Sequence, residues 1–105
     1  MAHETIGRIE ERIKKNSSLA EEHKSELLSL IAELKQEVEG LSATHKDDAT
    51  SIVGFTEASV HEATREGKNP ELLQHSLEGL SLSVRRFEVS HPRLVGLINN
   101  IGQTL

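Results

Sequence analysis

Leu27, Ile31, Leu34, Val38 and Leu41 recur at spacings of 4, 3, 4 and 3, and Leu73, Leu77, Leu80, Val84 and Phe87 repeat that spacing in the second half of the chain. Side chains three and four residues apart share one face of an α-helix, so each set is an apolar seam that a helix must bury against another helix. Nothing in the sequence offers a sheet as an alternative. No segment alternates with period two between hairpin turns, and the β-branched residues sit on helical stripes instead.

The punctuation between the stripes supplies the helix limits. Ile6, Ile9 and Ile13 mark a short first helix that Asn16-Ser17-Ser18 interrupts. Ser18 and Glu21 have the spacing of a capping box, and Gly40 sits where a C-terminal cap would close the second helix. Asp47 and Asp48 place negative charge at the start of a third helix, whose stripe is Ala49, Ile52, Val53, Thr56, Val60 and Ala63. Gly67-Lys68-Asn69-Pro70-Glu71 then combines a helix-ending glycine, an asparagine N-cap, a proline at the first helical position and a first-turn glutamate. Leu94, Ile98, Ile101 and Leu105 form the last stripe. The spacing predicts helices over residues 3–15, 18–40, 46–66, 70–90 and 92–105. The fold class expected is all-α: a single domain of antiparallel helices or helical hairpins with coiled-coil-like seams.

Two points stay open. Pro92 lacks the N–H a continuing helix needs and disfavours helical geometry at His91, so the chain either breaks there or kinks. The apolar phase from Phe87 through position 91 to Leu94 is unbroken, which favours a kinked continuous helix, whereas Ser90-His91-Pro92 reads as the cap and first turn of a new one. Leu82 and Val89 lie seven apart on the side opposite the Leu73–Phe87 seam. Either that helix is buried on two sides in the middle of the bundle, or the second stripe is a surface for self-association.

Composition narrows the function classes. Cys, Trp and Tyr are absent and phenylalanine occurs twice, which removes disulfides, thiolate metal sites, cysteine nucleophiles and aromatic base-stacking platforms. Twelve basic residues against seventeen acidic ones give a net charge of −5, so no nucleic-acid partner is expected. The N-terminus carries charges where an export signal would be apolar, and the longest apolar stretch, Leu27 to Ala32, is too short for a membrane span. A soluble cytoplasmic protein with no membrane partner is the expectation.

Catalytic and cofactor motifs are not assembled. The seven glycines are scattered and no Gly-x-Ser-x-Gly elbow or phosphate loop occurs. Six histidines, His3, His23, His45, His61, His75 and His91, include no pair three or four apart on one helix face, so neither a metal site nor a cofactor is expected. Glu71 with His75, His75 with Glu78 and Glu57 with His61 are spaced as surface pairs one turn apart. Protonating all six histidines would move the formal charge from −5 to +1, so acid should perturb any assembly. The one basic cluster, Arg85, Arg86 and Arg93, either pairs with glutamates of a neighbouring helix or grips an anion. No catalytic residues are assigned and an enzyme is not expected. The candidate interaction surface is Leu82, Arg86, Val89, Ser90, His91 and Arg93, in a self-associating homo-oligomer with possible further protein partners. The alternative is a ligand- or pH-responsive regulator using the histidines or the arginine cluster.

The run Arg86-Phe87-Glu88-Val89-Ser90-His91-Pro92-Arg93-Leu94 resembles the C-terminal signature of a small bacterial helical family known as domain of unknown function 4404. The likeness covers about a tenth of the chain. It implies a bacterial, cytosolic, all-α protein and brings no activity, ligand or catalytic residue with it.

Overall fold

The computed structural model describes residues 2–17 and 19–105 and contains five α-helices: α1 (Ala2–Lys15), α2 (Glu21–Ser42), α3 (Lys46–Thr64), α4 (Pro70–Val84) and α5 (Pro92–Thr104), with a 3₁₀ turn at Arg85–Phe87. No strand occurs among the described residues, and the all-α bundle expected from the seams is present. Helix α2 packs on α3 and α5, and α4 packs on the same two helices, which closes a four-helix ring; α1 lies along α2 and α3. Cross-helix contacts fix the directions. Arg93 and Thr104 of α5 reach Glu37 and Glu26 of α2, so this pair is antiparallel. Asp48 meets Arg86, and Phe55 lies on Gly79, so α3 and α4 are antiparallel too. On α1, Arg8 meets Glu57 and Arg12 meets Thr64, which makes α1 parallel to α3.

The core is drawn from the predicted stripes. Ile6, Ile9 and Ile13 of α1, the whole Leu27–Leu41 seam of α2, and Leu94, Ile98 and Ile101 of α5 are buried in one cluster with Ile52, Val60, Leu80, Val84 and Phe87. Leu73 and Leu77, at the start of the second seam, are only half-buried. Helix α3 touches three other helices and buries Thr56, Ser59 and Thr64 along with its aliphatic residues. Each hydroxyl donates to the carbonyl four residues back: Thr56 to Ile52, Ser59 to Phe55 and Thr64 to Val60, at 2.7–2.8 Å. A hydroxyl satisfied within its own helix can be buried without the cost of a lost hydrogen bond.

Several boundaries differ from the sequence reading, each for a local reason. Ser18 of the expected capping box lies outside the described residues; Ala20 occupies the N-cap position of α2 and makes no side-chain cap bond, and the helix begins at Glu21 rather than 18. Gly40 does not end α2, which continues through it to Ser42. A glycine cap requires the left-handed conformation, and no glycine among the described residues has positive φ. Helix α3 stops at Thr64 instead of 66. Asn69 caps α4 as expected, its Oδ1 accepting from the N–H groups of Glu71 and Leu72 at 3.1 and 3.2 Å. The fourth helix ends at Val84 rather than 90, and the chain breaks before Pro92, which is the first residue of α5. Leu82 is 58% exposed and Val89 95% exposed, so neither is buried in the middle of the bundle.

Helices α3 and α4 meet tightly where the Phe55 ring lies on Gly79. A Cβ placed on Gly79 would lie 2.6 Å from Cδ1 of the Phe55 ring, and closer still to Cε1. Only glycine admits the ring at this point.

Candidate functional site: a histidine–phenylalanine junction

The turn joining α2 to α3 and the turn joining α4 to α5 fall at the same end of an up-down-up-down ring, and the two turns are built alike. The residues preceding α3 and α5 are His45 and His91, with backbone angles φ −133°, ψ 61° and φ −137°, ψ 63°. The N–H of His45 donates to Leu41 O at 2.7 Å and that of His91 to Phe87 O at 2.8 Å. Their carbonyls accept from Ala49 and Val95, starting the next helix. In each turn the preceding hydroxyl, Thr44 Oγ1 or Ser90 Oγ, lies 2.8 or 2.9 Å from the imidazole Nδ1. That bond orients the ring and leaves Nε2 as its open nitrogen.

This likeness runs through the flanking helices at an offset of 46 residues. Leu27, Leu34, Val38, His45 and Ile52 are identical to Leu73, Leu80, Val84, His91 and Ile98, while Ile31, Leu41 and Thr44 face Leu77, Phe87 and Ser90. Where the first copy has Leu41, the second has the larger Phe87, and its buried ring lies perpendicular to both imidazoles. The His45 and His91 centroids lie 5.3 and 5.4 Å from that of Phe87, at interplanar angles of 90° and 89°, and 6.4 Å from each other. T-shaped pairs at this separation align a ring edge with a π-face.

The arginines do not form one cluster. Arg86 turns toward α3, with Nη1 3.4 Å from Asp48 Oδ1 and its guanidinium carbon 6.0 Å from the Phe87 centroid. Arg93 turns toward α2, its Nε 4.0 Å from Glu37 Oε2. Arg85 is exposed and makes no ion pair among the described residues. Pairing with neighbouring helices, the structural alternative for this cluster, is therefore what Arg86 and Arg93 do. Both pairs are solvent-exposed and each contributes at most about 1 kcal/mol.

Of the candidate surface residues, Arg86, Val89, Ser90 and Arg93 are exposed around the half-buried His91, and Leu82 is exposed on α4. Ser90 is engaged with His91. The sequence reading missed His45, Thr44, Asp48 and Glu37 as neighbours of this run, because they lie 38 to 56 residues away. The 46-residue echo is the signal that could have found His45. Of the spaced Glu–His pairs, His75–Glu78 forms, at 3.2 Å, while His61 lies near Glu62 at 3.9 Å. Among the described residues no group of three or more His, Asp or Glu side chains could hold a metal ion, and no helix is long and apolar enough to cross a membrane. Compared with protein-family models, curated proteins and solved structures, the chain matches none.

Proposed function

We propose that this chain is a non-enzymatic interaction module of the bacterial cytoplasm that self-associates through the end of the bundle bearing Val89, with Leu82, Arg86, Ser90, His91 and Arg93 around it. The observation that carries the proposal is the exposure of Val89, 95%, and Leu82, 58%, which exceeds that of Leu72 and Phe55, the other large apolar side chains exposed among the described residues. Apolar side chains that form a contiguous exposed patch are the usual raw material of an interface. The resemblance of residues 86–94 to domain of unknown function 4404 supports the bacterial, cytosolic part of this reading. Sedimentation equilibrium from micromolar to near-millimolar concentration tests it. The wild type is expected to associate and Val89→Asp to weaken that association; a strictly monomeric wild type would refute the proposal.

The His45–Phe87–His91 contact favours a second reading, an acid-responsive module. Protonating both rings would place two cations 6.4 Å apart. Their repulsion is about 0.6 kcal/mol in water and about 2.6 kcal/mol at an effective dielectric of 20, with the lower figure closer for such accessible rings. Charged residues of the same end of the bundle, Arg86 with Asp48 and Arg93 with Glu37, are paired with each other. Melting curves at neutral and mildly acidic pH, for wild type and the His45→Gln/His91→Gln variant, separate this junction from the other four histidines. Equal acid sensitivity in both proteins would dismiss it.

A further inference from the structure

We infer that the groove between α1 and α3 binds the carboxylate of a small aliphatic acid at Arg12. The groove encloses about 430 Å³, within the size range of small-molecule sites. The apolar surface it presents is Gly54 and Ala58 of α3, beneath which Ile9 and Val60 are already packed in the core. Gly54 and Ala58 lie four apart on α3 and are too small to fill the space, and a Cβ on Gly54 would meet nothing within 4 Å.

The charged rim is satisfied except at one place. Arg8 donates from Nε to Glu57 Oε2 at 3.1 Å, and Glu62 accepts from Arg65 at 2.9 Å and lies 3.9 Å from His61. Arg12 alone among the guanidiniums lining the groove has no carboxylate within ion-pair distance among the described residues. It is nonetheless held in place. Its Nε donates to Thr64 Oγ1 at 2.8 Å, and that buried hydroxyl spends its own proton on the Val60 carbonyl at 2.7 Å. With Nε committed, the two Nη groups form the free edge of the fork, the edge that takes a carboxylate through two parallel hydrogen bonds. Glu57 and Glu62 on the same rim oppose a dianion, so one uncompensated guanidinium matches a monoanion better than a phosphate. Gly54 and Ala58 offer neither a ring to stack on nor a side-chain polar partner, which fits an aliphatic body.

The test is an amide-resolved NMR titration of the full chain with hexanoate, its neutral isostere hexanamide, and inorganic phosphate. Hexanoate is expected to give saturable shifts confined to Arg8–Arg12 and Gly54–His61, with hexanamide at least about tenfold weaker and phosphate without a saturable effect. Arg12→Gln should lower hexanoate binding to the hexanamide level. Gly54→Met, which fills the floor and leaves the guanidinium in place, should abolish binding of both, and it keeps the test decisive if Arg12→Gln does not fold. Equal binding of hexanoate and hexanamide, tighter binding of phosphate, or unchanged hexanoate binding by Gly54→Met would each overturn the inference, as would no localised shift up to about 10 mM.

Discussion

Replacing Gly79 with alanine should destabilise the wild-type protein and stabilise a variant lacking the Phe55 ring. In a helix interior alanine is favoured over glycine by about 0.5–1 kcal/mol, because glycine loses more backbone freedom on folding. Gly79 lies within α4, so that gain is available in principle. Against it stands the contact at 2.6 Å between the new Cβ and Phe55 Cδ1, about 1 Å too short, which forces the ring off α4. Phe55 is 40% exposed, so the ring has somewhere to go. At about 25 cal/mol per Å², the roughly 100 Å² of ring surface resting on the neighbouring helices is worth about 2.5 kcal/mol, and partial loss of it leaves Gly79→Ala about 1 kcal/mol less stable. In the Phe55→Ala background the obstacle is absent and the same substitution should stabilise by about 0.5–1 kcal/mol, a coupling of about 2 kcal/mol between the two positions. With no Trp or Tyr to report fluorescence, urea unfolding followed by far-UV circular dichroism is the suitable assay. Gly96→Ala, where a Cβ meets nothing within 4 Å, is the control and should stabilise both backgrounds equally. The reasoning fails if Gly79→Ala has the same effect with and without the Phe55 ring.

Phe87→Ala removes the buried ring on which both imidazoles rest and should cost about 3–5 kcal/mol in urea unfolding, whereas Phe87→Leu, which restores the residue of the first copy, should cost less than half as much. Asn69→Ala deletes the side-chain cap of α4 and should lower stability by about 1 kcal/mol, with Asn69→Ser recovering most of it. Arg86→Ala should change stability by less than about 0.5 kcal/mol, since its pair with Asp48 is exposed and long at 3.4 Å; a larger loss in thermal or urea unfolding would show that its position near the Phe87 ring matters more than the ion pair.

Much of the fold was legible because the apolar stripes are nearly complete. The isoleucines of α1, the α2 seam and the Leu94–Ile101 set all reached the core, and Asn69-Pro70 started a helix where local chemistry required one. What failed was what depends on tertiary neighbours. Gly40 looks like a cap in isolation, but a glycine in right-handed geometry simply continues a helix that packing on both sides already holds. Phe55 is off the α3 stripe, and its role appears only once the antiparallel register sets it opposite Gly79. The polar run from Arg86 to Arg93 was singled out by its unusual residues, yet its partners, His45, Asp48 and Glu37, lie in the other half of the chain. The α1–α3 groove was not legible at all, because it is defined by side chains that are missing from Gly54 and Ala58.

The unbroken apolar phase across Pro92 has a different explanation. Helix α4 ends at Val84 and α5 begins at Pro92, so the junction consumes residues 85 to 91, seven in all. An interruption of seven residues returns a heptad pattern to the same phase whether or not the intervening chain is helical. Preserved phase therefore carried no information about continuity at this site. Comparison with the first copy does: Lys46, the counterpart of Pro92 at the 46-residue offset, is the first residue of α3 after a three-residue turn, and no proline is there to force the break. What the two breaks share is the hydroxyl–histidine pair, Thr44-His45 or Ser90-His91, with the histidine backbone outside the helical region in both copies. Proline at position 92 fits a break that the junction already makes. In the second copy the junction is also shaped by Phe87, whose ring packs against both histidines and so joins turns that are 46 residues apart.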